Sequence, residues 1–302
     1  MTGKAIFRVL VFGGATVLIG LVVLGFAGRV FALGDTVAVV RPLAGALLIP
    51  LVVVLWVMRA RRTAVVSLIL AGVALGSVAP GFMASGTDCT GTCLTLYQKN
   101  LLTKAWPRYP LADDIIASGA QIVTLQEVSD HNRQYMANLF DHYPVAVICK
   151  FRSWQDVAVL TSLPVVEGTE FCLAEPGLAG VQVLAPNGQR IWALSLHFEW
   201  PFPSDQFRQS RIIAAHIADL DGPVLIGGDF NMVPWGGSVQ RINRAAGNRH
   251  LGAVQNTFRL GSDWMRLPID AVLVPKGATG TTDLRDYMGS DHLGILARIA
   301  LP

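Results

Sequence analysis

Three long apolar runs fill most of the first 83 residues, and they constrain the fold before any motif is read. Val9 to Ala27, Val37 to Met58 and Thr63 to Met83 each approach the roughly 20 residues that a helix needs to cross a bilayer. The first and third contain no charged residue, while the second carries Arg41 near one end, from where a long side chain can reach the headgroups. A mean hydropathy of +0.46 is too high for an ordinary soluble enzyme, and these runs account for the excess. A cleavable signal peptide is the competing reading, because Lys4 and Arg8 precede the first run as an n-region precedes an h-region. It leaves two further runs unexplained, and Phe26-Ala27-Gly28 is a poor cleavage site. Residues 1–83 are therefore read as an anchor of three transmembrane α-helices.

Orientation follows from the basic residues in the short loops. Lys4 and Arg8 precede the first run, and Arg59, Arg61 and Arg62 lie between the second and third, which places both segments in the cytoplasm. Gly28 to Thr36 then faces outward, and three crossings put everything after Met83 outside the cytoplasm. The charge divides along the same line. Residues 1–83 hold 7 Lys and Arg against 1 acid, net +6, and residues 84–302 hold 17 against 20, net −3. The overall +3 thus belongs to the anchor, and the outer part lacks the basic surplus of a protein that grips nucleic acid non-specifically. All four cysteines, Cys89, Cys93, Cys149 and Cys172, lie in the outer part. Outside the cytoplasm, Cys89 with Cys93 and Cys149 with Cys172 can pair as disulfides or remain as structural thiols, and no CxxC or spaced His cluster supports zinc.

After a Gly/Ser/Thr-rich connector over residues 84–93, residues 94–302 alternate strands with helices. Strands are predicted at Cys93–Tyr97, Gln121–Leu125, Val145–Lys150, Val157–Thr161, Pro223–Gly227, Ala271–Val274 and Gly294–Ile299. A hairpin is predicted where Val181–Leu184 and Ile191–Leu196 flank the Pro186-Asn187-Gly188 turn signal. Helices are predicted at Pro110–Ser118, Tyr135–Phe140 and Gln206–Leu220. This is an α/β sandwich large enough to bury its own core.

Polar motifs then fall at strand ends. Glu127 closes an apolar strand with a carboxylate, and Asn100 and Asp291 are plausible companions around a hard cation such as Mg²⁺, which takes oxygen ligands. In Gly227-Gly228-Asp229-Phe230-Asn231, two glycines are read as a tight turn that aims the Asp229 acceptor and the Asn231 amide at one water or phosphoryl group. Asp270 ends Leu267-Pro268-Ile269, and His292 follows Asp291; an Asp270–His292 dyad can keep the imidazole protonated beside developing charge. His197 supplies a second imidazole, while His131, His142, His216 and His250 are read as structural. Carboxylates, amides and imidazoles gathered in this way suit metal-assisted phosphoester hydrolysis, which needs charge neutralisation, an oriented water and a stabilised leaving oxygen.

These segments resemble the endonuclease/exonuclease/phosphatase superfamily, which includes deoxyribonuclease I, apurinic endonucleases, neutral sphingomyelinases and inositol-polyphosphate 5-phosphatases. The matching residues are Asn100 in YQKNLL, Glu127 in TLQEV, His197 in SLH, Asp229 and Asn231 in GGDFN, Asp270 in PIDAVLV, and Asp291 with His292 in SDHLGI, in family order over about residues 94–300. The resemblance implies a four-layer α/β sandwich of two mixed β-sheets flanked by helices. It implies Glu127 as the main Mg²⁺ ligand, with Mn²⁺ an alternative, aided by Asn100 and Asp291. It also implies Asp229 orienting or deprotonating the attacking water, Asn231 positioning water or phosphate, and His197 with the Asp270–His292 pair stabilising the transition state. The Val233-Pro234-Trp235 continuation is similar to that of bacterial members with membrane-spanning N-termini, which implies a multi-pass protein of the bacterial inner membrane whose catalytic domain faces the periplasm or outer face. Leu102 stands where some nuclease members carry an acid, which argues against a repair endonuclease.

Three functions are compatible with this reading. The first is a phosphoesterase tethered to the lipid bilayer and acting on a phosphodiester or phosphomonoester such as a lipid headgroup, suggested by the aromatic loop Phe198-Glu199-Trp200-Pro201-Phe202-Pro203 after His197. The second, less favoured by the acidic balance, is a tethered nuclease acting on DNA or RNA. The third, an inactive binding module, sits poorly with the retention of every acid, amide and imidazole.

Overall fold

The N-terminal apolar runs are helical in the computed structural model, which describes residues 2–104, 110–152, 155–262 and 264–302. They form α1 (Gly3–Phe26), α2 (Ala32–Ala38), α3 (Arg41–Val57), α4 (Arg61–Gly76) and α5 (Ala79–Met83). The stretches Gly3–Arg29 and Arg61–Met83 are long and apolar enough to cross a membrane, and the pair α2 and α3 qualifies only when taken as one broken span, bent by 62°. The break departs from the continuous second run expected from hydropathy. Pro42 lies in the first turn of α3, and its ring and missing N–H disfavour helix through the preceding residue. Small residues let the long helices approach: a Cβ on Gly45 would lie 2.7 Å from the Cβ of Ala74. Their outer faces expose Leu10, Val17, Leu43, Val53, Leu68 and Ile69, an exterior that water penalises and lipid accepts.

Arg41 does not extend outward as its position in the sequence suggested. It is buried where α1 ends, α3 begins and α4 ends, donating from Nη1 to the Gly25 carbonyl (2.9 Å) and from Nη2 to Ser77 Oγ (3.2 Å).

The remainder of the chain is a four-layer α/β sandwich. One sheet contains β1 (Leu94–Asn100), β2 (Ile122–Val128), β3 (Val145–Cys149), β4 (Asp156–Thr161), β13 (Thr279–Arg285) and β14 (Gly294–Ala300), in the order β13-β14-β1-β2-β4-β3. The other contains β5 (Phe171–Leu173), β6 (Leu178–Leu184), β7 (Arg190–His197), β8 (Val224–Asp229), β9 (Asn248–His250) and β12 (Asp270–Pro275), in the order β5-β6-β7-β8-β12-β9. A small ribbon pairs β10 (Phe258–Ser262) with β11 (Met265–Leu267). Both large sheets are mixed, with β1–β2 and β7–β8 parallel and their other pairings antiparallel. Leu96, Ile122, Val159, Val181, Ala193 and Leu225 fill the space between the sheets. Helices α6 (Leu111–Ala117), α7 (Asp130–Gln134) and α8 (Ala137–His142) accompany the first sheet, with Leu111, Ile115 and Leu139 packed against its outer face. Helices α9 (Gln206–Ala218) and α10 (Gly237–Ala245) cover the second through Ile213, Ile217, Val239 and Ile242.

The hairpin predicted around Pro186-Asn187-Gly188 is β6–β7. The helix predicted at Tyr135–Phe140 is instead two short helices, because Ser129 and Asn132 form a capping box that starts α7 early. Both favoured cysteine pairs are disulfides. Cys149–Cys172 joins β3 to β5, the edge strands of the two facing sheets, and so staples one side of the sandwich.

The sandwich is seated on the helical bundle through the segment between α1 and α3. Helix α10 has no side-chain cap of its own. Asp35 of α2 supplies one: its carboxylate accepts from the Gly237 and Ser238 N–H groups and from Ser238 Oγ. Gly237 is required there, since a Cβ would overlap the Gly28 carbonyl. Trp235 Nε1 donates to the Ala38 carbonyl (2.8 Å), Arg241 Nη2 to the Arg29 carbonyl (2.9 Å), and Val254 N–H to the Gly81 carbonyl (2.8 Å). Replacing Asp35 by Ala takes the acceptor from three donors of α10, the Gly237 and Ser238 N–H groups and the Ser238 hydroxyl, at a cost of about 2 kcal/mol. Amide exchange at Gly237 and Ser238 is expected to accelerate by about 30-fold; unchanged protection would show that Asp35 does not hold this junction.

Candidate active site

Strand register brings the polar residues to one rim. His197, Asp229 and Asp270 sit side by side on β7, β8 and β12, paired as His197↔Asp229 and Asp229↔Asp270. On the facing sheet, Asn100 ends β1 opposite Gln126, next to Glu127. Parallel pairs bring C-terminal strand ends to the same side, which is why residues so far apart in sequence converge. The backbone is strained at this rim. Glu127, Asn231 and Leu102 have φ of 55°, 43° and 56°, values uncommon for residues other than glycine. At Glu127 the strain accompanies a register shift against β4 between Leu125 and Val128, a bulge that re-aims the side chain.

The two glycines of GGDFN do not make the turn expected of them. Gly227 and Gly228 lie within β8, and their role is close packing. A Cβ on Gly227 would overlap Thr124 Oγ1 of the opposite sheet, and one on Gly228 would overlap the Leu196 carbonyl of β7. The sheets can therefore approach directly beneath the rim.

All eight candidate residues meet in one place. Asn100 Nδ2 donates to Asp229 Oδ2 (2.9 Å) and Glu127 Oε1 (3.2 Å), linking the two sheets. The Asn231 N–H donates to Asp229 Oδ1 (2.8 Å), while its side-chain amide donates to the Phe198 carbonyl (2.7 Å) and lies 3.4 Å from His197 Nε2. His197 Nε2 and His292 Nε2 stand 3.6 and 3.8 Å from Asp229 Oδ2. His292 Nδ1 is bonded to Asp270 Oδ2 (2.8 Å), and Gln98 holds the other Asp270 oxygen (3.0 Å). Asp291 Oδ1 is 3.8 Å from His292 Nε2. A cavity of about 260 Å³ opens over this network, lined by Glu127, His197, Asp229, Asn231, Asp291 and His292 among others, with Trp200, Phe151 and Phe258 as aromatic walls. His131, His142, His216 and His250 do not line it.

Protonation is divided by environment. Burial pushes Asp229 up to about 7, with Asp270 adding to the rise and His292 opposing it. Burial would lower His292, but the carboxylates of Asp270 and Asp229 overcome it and hold the ring up to about 9. His197 is pushed down to about 4, chiefly by burial. Burial works against ionised Glu127, yet His197 and donors from Thr103 and Asn100 outweigh it, keeping its carboxyl below the usual range. At neutral pH the rim thus holds one cationic ring, one neutral ring and a carboxylate that exchanges its proton readily.

The donor set suits a hard cation. Glu127, Asp291 and Asp229 offer carboxylate oxygens, and Asp291 Oδ1 is buried without a hydrogen-bond partner, as an oxygen awaiting a ligand would be. Asn100 can contribute its oxygen only with the amide rotated, since its NH₂ now faces Glu127 and Asp229. Asp229, Asp270 and His292 also bring ligand atoms within 4.8 Å of one another. There, however, the Asp270–His292 bond and the raised affinity of His292 for a proton compete with a metal.

A family model described as Endonuclease/Exonuclease/phosphatase family matches residues 99–292, the span that holds all eight candidate residues. The chain belongs to this family. Similar solved structures include D. rerio TDP2 complexed with single strand DNA product, with a TM-score of 0.57 and 17% identity over 70% of this chain and 100% of that one. An endonuclease/exonuclease/phosphatase from Bacteroides vulgatus gives 0.57 and 16%, over 70% and 100%. The mannosyl-6-phosphatase of Bacteroides thetaiotaomicron gives 0.54 and 15%, over 69% and 100%. At such identities the likeness is one of fold. No curated protein sequence matches the chain. Family membership makes the protein a phosphoester hydrolase, in a family that is generally dependent on divalent metal.

Several residues that shape the rim escaped the sequence reading. Thr103 donates twice to Glu127 Oε2, from N–H and Oγ1, both at 2.9 Å. Lys99, fully buried, donates to the carbonyls of Asp286, Tyr287 and His292 and fixes the segment that carries Asp291. Gln98 and Gln126 were visible in principle: with Asn100 and Thr124 they are polar residues at alternate positions of two buried strands, and both glutamines reach the opposite sheet. The packing beneath the rim is testable by a double-mutant cycle. Gly227→Ala is expected to destabilise the fold by about 1–3 kcal/mol, read as a lowered Tm. Thr124→Ala should restore most of that loss, because Thr124 Oγ1 is buried with no hydrogen-bond partner to forfeit. Additive effects would place the Gly227 constraint elsewhere.

Proposed function

We propose that this protein is a membrane-anchored, divalent-metal-dependent phosphoesterase whose substrate is a phosphodiester or phosphomonoester displayed at the bilayer surface outside the cytoplasm, with lipid headgroups as the favoured class. In this reading residues 1–83 are the anchor, 84–93 the connector and 94–302 the catalytic domain. One observation carries the choice of substrate. The Phe202 carbonyl accepts from Thr36 Oγ1 of α2 (3.3 Å), so the aromatic loop after His197 rests against the segment linking the first two membrane helices. Trp200 of that loop lines the cavity and touches the Phe258 ring, yet Trp200 and Phe202 remain 46% and 51% exposed. Aromatic residues at the mouth, beside the point where helices enter a bilayer, suit a substrate that arrives in the interface.

Mg²⁺, or Mn²⁺ in its place, would be held by Glu127 with Asn100 and Asp291, and when bound would neutralise the phosphoryl oxygens. Asp229 orients the attacking water and accepts its proton, as its raised proton affinity suits. Asn231 holds Asp229 by its N–H and places its amide beside His197 Nε2. His197, neutral, donates a hydrogen bond to the phosphoryl group, and His292, kept cationic by Asp270, faces the charge that develops during displacement.

A detergent-solubilised preparation assayed on phospholipids, small phosphate esters, RNA and plasmid DNA is expected to cleave phospholipid, to lose activity with chelator and to regain it with Mg²⁺. Asp229→Ala should lower the rate by about 10²–10⁴-fold; an unchanged rate would discredit the site, and cleavage of DNA without lipid would replace the substrate class by nucleic acid.

The Asp270–His292 pair predicts a pH effect of definite sign. Below about 9 the His292 ring is cationic, so the rate should fall as pH rises through that region. Asp270→Asn removes a countercharge, lets the ring lose its proton earlier, and should move the alkaline limb to lower pH. A limb that stays in place would mean that His292 is not the group titrating.

A further inference from the structure

The bundle and the sandwich leave a second cleft, of about 360 Å³, where α1 ends, α3 begins and α4 ends. Arg29, Arg41, Phe26 and Ser77 line it from the bundle, and Trp235 and Gln240 from the sandwich. Arg41 is 4% exposed, and every partner it has is neutral: the Gly25 carbonyl, Ser77 Oγ and the Phe26 ring, whose centroid lies 4.0 Å from the guanidinium carbon. Its Nε is buried with no acceptor, and no carboxylate among the described residues pairs with it. A guanidinium removed from water and facing only neutral acceptors keeps an uncompensated charge, which is costly unless an anion joins it. The N-terminus of α3, at which Arg41 sits, has no side-chain cap, so the positive end of a 17-residue helix adds to the same demand. Arg29 brings a second cation to the cleft. The space is shaped around Arg41: a Cβ on Gly25 would stand 3.0 Å from the Arg41 Cβ.

We infer that this cleft binds the phosphate of a net-anionic glycerophospholipid, one whose headgroup carries no balancing cation, as a site separate from the catalytic rim. The inference rests on the reading that the N-terminal helices cross a bilayer. The phosphate would bond to Arg41 Nε and pair with Arg29, in the bidentate or forked manner that guanidinium groups favour. Exposed Phe26, Val40 and Leu43 flank the same helix ends and offer the acyl chains an apolar path. These residues favour a lipid phosphate over a soluble one. Because the cleft has walls from both parts of the molecule, a bound lipid would bridge them beside the Asp35–Gly237 junction.

The test is native mass spectrometry of the full chain released from micelles, titrated with phosphatidylglycerol, phosphatidylcholine or inorganic phosphate. Phosphatidylglycerol is expected to be retained at about tenfold lower concentration than phosphatidylcholine. Arg41→Gln should abolish that preference. Arg29→Gln, a change on an exposed side chain, should weaken it several-fold. Equal retention of the two lipids, or a preference that survives in folded Arg29→Gln and Arg41→Gln proteins, overturns the lipid site; so does inorganic phosphate that displaces phosphatidylglycerol, which would make the ligand a soluble anion. Carbonate extraction of the same membranes separates the two readings. A chain that resists extraction but shows no lipid preference refutes this site alone, and a chain that is released refutes the bilayer reading and this site with it.

Discussion

One side chain joins the two central carboxylates of the rim. Asn100, at the end of β1, donates to Glu127 on its own sheet and to Asp229 on the other. Without that link, the two carboxylates would belong to separate sheets with no direct bridge between them, even though the Gln98–Asp270 and Gln126–Ser195 bonds and the Cys149–Cys172 disulfide also span the sheets. The link demands a close approach, and Gly227 against Thr124 provides it from below. A larger residue at that point would part the sheets where the rim needs them near. Sheet packing and chemistry are therefore set by the same contact: the strands meet tightly at one end, and that end carries the acids, amides and imidazoles.

The charge pattern follows from where each group lies in that packing. His197 and His292 are both fully buried and both within 4 Å of Asp229, yet they are driven in opposite directions. The difference is Asp270, which is bonded to His292 and not to His197. An imidazole buried without a bonded carboxylate loses its proton to desolvation, whereas one that shares a short bond with a carboxylate keeps it. Two rings of the same type thus acquire different roles from neighbours on adjacent strands, and β12, antiparallel to β8, puts the Asp270 carboxylate beside Asp229 at the strand start. The same logic explains why the Asp229–Asp270–His292 group is a weaker metal site than its spacing suggests: its oxygens already serve a proton.

Much of this was readable from the chain, because strand ends that carry acids, amides and imidazoles after apolar runs have few structural reasons to exist. Asn100, Glu127, His197, Asp229, Asn231, Asp270, Asp291 and His292 were each marked by such a position, and the fold brings them together. What the sequence hid was anything dependent on a partner distant in the chain. The glycines of GGDFN look like turn residues because glycine is read locally as backbone freedom; Gly227 is constrained by a threonine more than a hundred residues earlier and Gly228 by the Leu196 carbonyl of the neighbouring strand. Arg41 looked like a snorkelling side chain because hydropathy places it at the end of a run; three helix ends converge there and bury it. Helix α10 was not among the predicted elements, and its cap comes from Asp35 at the far end of the sequence.

That borrowed cap bears on how the sandwich is held on the N-terminal helices. A flexible tether would let the catalytic rim sample any orientation, and a connector of ten residues closed by the Cys89–Cys93 disulfide could serve as one. The contacts made by Asp35, Trp235, Arg241 and Thr36 remove that freedom, because they fix the sandwich to the short segment between the first two long helices by hydrogen bonds at several separated points. Val233-Pro234-Trp235, the continuation of the motif that supplies Asp229 and Asn231, is itself part of the seat, with the Trp235 ring 5.8 Å from that of Phe82. Few residues separate the chemistry from the docking surface, so a displacement of the sandwich on the helices would be felt at Asp229 within a span of six residues. Rigid seating therefore fixes the orientation of the rim relative to the N-terminal helices, a constraint that a flexible connector alone would not impose.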